Sequence, residues 1–179
     1  ILWLKLNEYP FNEKYSSCAD KFKVRDYVKN KGYESILIPI ICSCDKASEI
    51  NFSLLPQKFV IKWNFGWGYN IICKNKNKLN INSTIKKLDK WEKSKFYLRS
   101  SELHYQNIDK KIIIEEYIGT KDSLPVDYKF YCFNGKVKYV MVCVGRDNLK
   151  KPLFYFFDKN WNFMKFDKKN TVGFIDIAS

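Results

Sequence analysis

Apolar positions along this chain follow two different periods, and the points where the period changes divide it into elements. From Asp20 the spacing turns helical: Val24, Tyr27, Val28 and Lys31 fall at i, i+3, i+4 and i+7, Asp20 is placed to cap the first turn, and Gly32 fits the position just past the last. The run SILIPIIC over 35–42 reads as a short strand interrupted or bounded by Pro39. Residues 45–56 form a connector with at most one helical turn. Alternation returns at 59–63 and 69–73, two apolar strands around a five-residue turn that carries Gly66 and Gly68. A second helix is expected over 83–94, with Ile81, Ile85, Leu88 and Trp91 as its apolar stripe and Asn82 as its N-cap.

Residues 111–118, KIIIEEYI, have the continuous apolar character of a buried strand that runs into Glu115 and Glu116. Neighbours on a strand point to opposite faces, so one of these carboxylates faces a cleft when the other faces water. After a polar loop over 119–125, residues 127–145 alternate in two strands around Asn134-Gly135, the strongest short-range hairpin signal. Asp127, Lys129 and Tyr131 share one face of the first strand, and Arg146-Asp147 closes the far end of the second. A last hairpin joins 153–157 to 161–166. The first 19 residues mix their signals and read as the tail of something upstream.

Composition narrows the class. A chain of 179 residues buries one sizeable core or two small lobes. No apolar run reaches the roughly 18–20 residues of a membrane span and no leader is visible, so a soluble, cytoplasmic protein is expected. Beginning at Ile1 and ending in GFIDIAS, the sequence reads as a piece cut at both ends. The six cysteines form no C-x-x-C pair and are expected as buried free thiols in a reducing compartment. The net charge of +13 invites a nucleic-acid reading. Against it, only Arg25, Arg99 and Arg146 among the 32 basic residues carry the forked donor that base and phosphate recognition favours, and the lysines are spread rather than clustered. Attraction for a phosphorylated or acidic substrate remains.

The candidate chemistry sits in the first hairpin, FVIKWNFGWGYNIICK. Lys62 stands mid-strand among apolar neighbours, where an unpaired charge is costly. A glycine turn lets backbone N–H groups converge on an anion, and the Lys62 ammonium would neutralise a further phosphate oxygen. The alternative is a plain hairpin, with glycines supplying positive φ and the lysine reaching water. The sole histidine, His104, has no partner nearby in sequence and reads as structural.

In order, the Asp20-Lys21 helix start, the K-x-x-x-G-x-G hairpin of Lys62, Gly66 and Gly68, the E-E-Y-I strand end and the stretch DYKFYCFNGK resemble the ATP-grasp proteins. More narrowly they are similar to the teichuronopeptide-biosynthesis, TupA-like type found among bacterial surface-polysaccharide genes. The stretches ADKFKVRDYV, ELHYQNIDKKIIIEEYI and FYFFDKNWNFMKF follow the same pattern. The resemblance implies an α+β fold in which two lobes clasp ATP. It divides the chain into an upstream remnant (1–19), a small lobe (20–113) and the start of a large lobe (114–179). It makes Lys62 the small-lobe lysine beside the α-phosphate and Gly66, Trp67 and Gly68 part of a lid. Backbone groups of Glu116, Tyr117 and Ile118 would read adenine, with Glu115 or Glu116 near the nucleotide. Asp127, Lys129 and Arg146 would face the phosphates, although relatives often carry Arg where Lys129 stands. Phe65 and Trp67 depart from the family's small or polar lid residues and would either stack on the phosphates or obstruct them.

By the same resemblance the carboxylates that hold Mg²⁺ lie beyond Ser179, so no metal ligand is expected within the chain, and Asp167 and Asp176 match no motif. The implied reaction passes the γ-phosphoryl of ATP to a carboxylate, giving an acyl phosphate that an amine converts to an amide, with Lys62, Lys129 and Arg146 sharing the charge. The carboxylate would be a uronic acid, amino sugar or amino acid destined for a capsule, teichuronopeptide or O-antigen, and other polysaccharide enzymes are candidate partners. The piece by itself is expected to be inactive. Two other readings stand beside this one: a nucleotide-binding phosphotransferase or glycosyltransferase-associated protein, and a non-enzymatic basic module for polyanions.

Overall fold

A computed structural model describes residues 2–120, 123–146 and 152–164. Asp147, Asp167, Asp176 and the end of the last expected strand, 165–166, lie outside the described residues. The chain divides into two compact units, 1–117 and 118–179. Both are built on antiparallel sheets, and with the helices of the first unit they make the α+β class expected.

The sheet of the first unit runs β1-β4-β2-β3, from Ile40–Cys44 (β1), Phe59–Trp63 (β2), Asn70–Cys73 (β3) and Ile112–Glu116 (β4). Alternation on β2 separates its two faces. Phe59, Ile61 and Trp63 are essentially inaccessible, join Ile112 and Ile114 of β4, and pack with Leu88 of the helix Ile81–Glu92 (α4). The Trp63 indole N–H donates to the Leu88 carbonyl at 3.1 Å, which satisfies the polar atom that the large ring brings into the core. Val60 and Lys62 point the other way, alongside Ile113 and Glu115. The division of the chain falls after Tyr117, so all of β4 belongs to the first unit. Residues on both sides of 113/114 pair with β1 and with β2.

Several local expectations shift. Residues 2–19 are integrated into the first unit as Leu2–Asn7 (α1), a 3-10 turn and Glu13–Ala19 (α2). Ser16 is buried and donates to the His104 carbonyl at 2.9 Å, and the Asn107 carboxamide donates to the Pro10 carbonyl at 2.7 Å. Asp20 accepts from the Phe22 and Lys23 amides, and the helix that follows a turn at 21–23 is Val24–Asn30 (α3), closed by Gly32 at φ +81°. β1 starts at Ile40 because the Ile38 carbonyl is taken by Arg25 and Pro39 has no N–H to offer a ladder. Helix α4 begins two residues earlier than expected: the N-cap is Asn80, whose carboxamide accepts from the Ser83 amide at 2.9 Å. In that phase Thr84 is buried and Ile81 is exposed. Residues 96–107 fold as Phe96–Ser100 (α5) and a 3-10 turn.

The second unit is a meander, β5-β6-β7-β8, of Asp127–Phe133, Lys136–Val144, Leu153–Asp158 and Phe163–Met164. Asn134 at φ +49° and Gly135 at φ +72° take the two left-handed positions of the tight hairpin turn that this pair signals. At the last turn, Asp158 accepts from the Asn160 and Asn162 amides and Trp161 has φ +64°, so this residue turns the chain rather than opening a strand. The core is small: Val140, Val142 and Tyr155.

The cysteines correct the expectation of buried thiols. Cys73 and Cys143 are buried, but Cys18, Cys42 and Cys132 are exposed, the last two on the outer strands β1 and β5.

Candidate functional site

The face of the first sheet turned away from α4 carries the charge. Lys62 sits opposite Ile113 in the β2–β4 register and Glu115 opposite Val60. Lys62 and Glu115 are therefore diagonal neighbours on one face, within reach of long side chains. They form an ion pair, and the Arg25 guanidinium, from α3, meets the other Glu115 oxygen at 3.5 Å. Arg25 also donates to the Ile38 carbonyl at 2.6 Å, which locks its fork. The Glu115 side chain is only 6% exposed, whereas Lys62 is 24% exposed, so the lysine is the member a ligand can reach. This partner removes the cost that an apolar strand would otherwise impose on Lys62.

A third cation joins them. Lys21, in the turn before α3, donates its ammonium to the Gly66 carbonyl at 2.6 Å, with the Asn64 carbonyl at 3.5 Å. Burial pushes this ammonium down to about 8, and the neighbouring Lys62 charge pushes the same way, against the opposing pull of Asp20 and Glu115. Lys21 and Arg25 both belong to the stretch ADKFKVRDYV, yet sequence reasoning assigned neither a role. The adjacency of Asp and Lys at a helix start was the available signal, but nothing local says that the lysine reaches back to a distant turn.

The turn itself is anchored from below. Asn64 is 1% exposed and makes three side-chain bonds: its N–H₂ donates to Asp20 at 3.0 Å and to the Asp109 carbonyl at 2.9 Å, and its oxygen accepts from the Lys111 amide at 2.9 Å. Asn64 thereby ties the β2 end to the α3 entry and the β4 start. Gly66 has φ +62°, and a Cβ there would lie 3.0 Å from the Tyr69 ring and 3.2 Å from Phe96, so glycine is required on both counts. Gly68 needs only its φ of +81°, with open space around it. The expected aromatic lid divides: Phe65 is 3% exposed and part of the core, while Trp67 is 69% exposed with its edge against Phe96. Among the described residues the N–H groups of Phe65, Gly66, Trp67 and Gly68 make no hydrogen bond, so this loop commits the Asn64 and Gly66 carbonyls and leaves its donors available.

Downstream, the Glu116 amide donates to the Pro39 carbonyl at 3.1 Å, Glu116 and Ile118 are exposed, and Tyr117 is the last residue of the first unit. In the second unit, one oxygen of Asp127 accepts from Lys129 at 2.9 Å and from Arg146 at 2.6 Å, and the Arg146 Nε–H reaches the Cys143 sulfur at 3.1 Å. The three residues that sequence placed at this strand end do meet. Both carboxylates, Glu115 and Asp127, are already occupied by two cations each, and among the described residues no cluster of His, Cys, Asp or Glu is placed to hold a metal ion. The described donor sets therefore do not fit Mg²⁺, while the cationic clusters fit an anionic phosphate chain.

Among the described residues no helix is long and apolar enough to cross a membrane. A family model described as TupA-like ATPgrasp matches residues 1–175. No curated protein and no solved structure matches the chain.

Proposed function

The chain belongs to the TupA-like ATP-grasp family, and from that premise we propose that it is an ATP-dependent carboxylate–amine ligase acting in bacterial surface-polysaccharide biosynthesis. One observation carries the reading: Arg25 and Lys62 come from two separate segments to one buried carboxylate, Glu115, while Lys21 holds the neighbouring glycine loop, whose amides are uncommitted. Glu115 holds the Arg25 and Lys62 charges at fixed places without ligand, so an arriving phosphate meets cations already oriented and partly desolvated. In this reading Lys62 binds the phosphate chain, the amides of Gly66, Trp67 and Gly68 close on it, and backbone groups of Glu116, Tyr117 and Ile118 take the adenine edge. Asp127 orients Lys129 and Arg146 for the same kind of charge neutralisation in the second unit.

The chemistry asks little of a protein nucleophile. Attack of the substrate carboxylate on the γ-phosphorus forms one P–O bond and breaks the bond to ADP. An amine then attacks the acyl carbon, forming the C–N bond as the C–O bond to phosphate breaks; inorganic phosphate leaves and the amine nitrogen sheds a proton. Positioning and charge neutralisation dominate both steps. The carboxylate belongs to a uronic acid, amino sugar or amino acid, and the reaction takes place in the cytoplasm, where ATP is available.

Lys62→Ala tests the nucleotide site. Its ATP Kd, measured by calorimetry, is expected to rise at least about tenfold, equivalent to ~1.4 kcal/mol; unchanged affinity overturns the assignment. In an intact version of the protein, hydroxylamine added with ATP and a panel of uronic and amino acids is expected to trap a hydroxamate. ATP consumption without hydroxamate would mark a phosphotransferase instead.

A further inference from the structure

The β2–β3 turn is held in an unusual way. The hairpin ladder closes with the Trp63 amide donating to the Tyr69 carbonyl at 3.0 Å, and beyond that rung residues 64–68 share no backbone bond with one another. What fixes them comes from outside. The Lys21 amide donates to the Asn64 carbonyl at 2.9 Å, and the Lys21 ammonium reaches two residues further, to the Gly66 carbonyl at 2.6 Å. One residue therefore grips the loop twice, at its root and near its tip. The root has a second anchor in the Asn64 side chain, but among the described residues the ammonium makes the only polar contact at the tip. Gly68 stands in open space, and the exposed Trp67 ring forms a T-shaped pair with Phe96.

From this geometry we infer that Lys21 is the positioning residue of the glycine loop: its ammonium clamps the Gly66 carbonyl, sets where residues 65–68 lie, and leaves their amides open to an anion. The clamp is charge-assisted, and such a bond is about twice as strong as a neutral one. Its strength then depends on the proton that Lys21 carries. The charged groups facing that ammonium are Lys62 on β2, Asp20 in its own turn and Glu115 on β4, which Arg25 on α3 also engages. Burial and Lys62 bring its titration to about 8, so the clamp is charged at neutral pH and weakens as pH rises through that value. This role concerns the ligand-free protein and stands whether or not the nucleotide reading does.

The test is NMR on the ligand-free protein. In Lys21→Met the backbone order parameters of residues 65–68 are expected to fall from the rigid range, about 0.85, to below about 0.6, while β2 and β4 keep theirs. Lys21→Arg, which retains a charged donor, restores part of the loss. In the wild type the Trp67 indole N–H shift is expected to titrate with a midpoint near 8 and to be flat over that range in Lys21→Met. A loop as ordered in Lys21→Met as in the wild type overturns the inference, as does loosening spread equally over β2 and β4. Should Lys21→Met fail to fold, the wild type decides alone: backbone order parameters of residues 65–68 already below about 0.6 reject the clamp.

Discussion

Each unit of this protein builds a cluster of one carboxylate and two cations, and burial sets them apart. Glu115, with Lys62 and Arg25, has side-chain exposures of 6%, 24% and 13%; Asp127, with Lys129 and Arg146, has 31%, 47% and 43%. Water screens the second cluster, and exposed pairs of that kind contribute roughly 0–1 kcal/mol. In the first cluster neither cation can be left alone without a desolvation cost, so the carboxylate is obligatory. The same residue types thus form a fixed, partly buried cluster in one unit and a surface arrangement in the other. The cores follow suit: the first sheet has six strand residues of essentially zero exposure, whereas a cluster of three buried residues forms the core of the second.

Breaking each cluster at its acid should expose this difference. Glu115→Ala strands two partly buried cations and is expected to destabilise the protein by about 3–5 kcal/mol, read as a lower urea midpoint at unchanged slope. A cost below about 1 kcal/mol would mean that this cluster is as well solvated as that of Asp127. Asn64→Ala comes next, at about 2 kcal/mol, because it leaves the Lys111 amide and the Asp109 carbonyl without their partner in a buried place. Its signature is loss of amide-exchange protection at Lys111. Asp127→Asn is expected to cost under about 1 kcal/mol. Its urea midpoint should stay within error of the wild type at 0.5 M salt, where screening has removed most of the surface attraction.

Much of the fold was legible because its signals are local. The alternation of Phe59, Ile61 and Trp63, the Asn134-Gly135 turn and the helical spacing after Asp20 each depend on backbone preferences within a few residues. The misplacements are instructive for the same reason. Asn80 and Asn82 are both good N-caps by type, and only the burial of Leu88 and Thr84 selects Asn80. Residues 2–19 carry no strong period, since their place is settled by contacts with 103–107 far along the chain. Of the candidate site, Lys62, Gly66, Gly68 and the Asp127 strand end could be singled out from spacing. Lys21 and Arg25 could not, because their partners lie on β4, just ahead of β1 and in the turn between β2 and β3.

The sequence by itself determined the strand and helix periods, the glycine hairpin with its mid-strand lysine, and the ordered motifs that place the chain in its family. Only the tertiary structure decided what Lys62 pairs with, that Phe65 belongs to the core while Trp67 does not, and that Lys21 holds the loop. The physical reason is register. One residue of slip between β2 and β4 would turn Glu115 to the opposite face from Lys62, and that register is set by the apolar face buried beneath α4, not by any pattern within the hairpin.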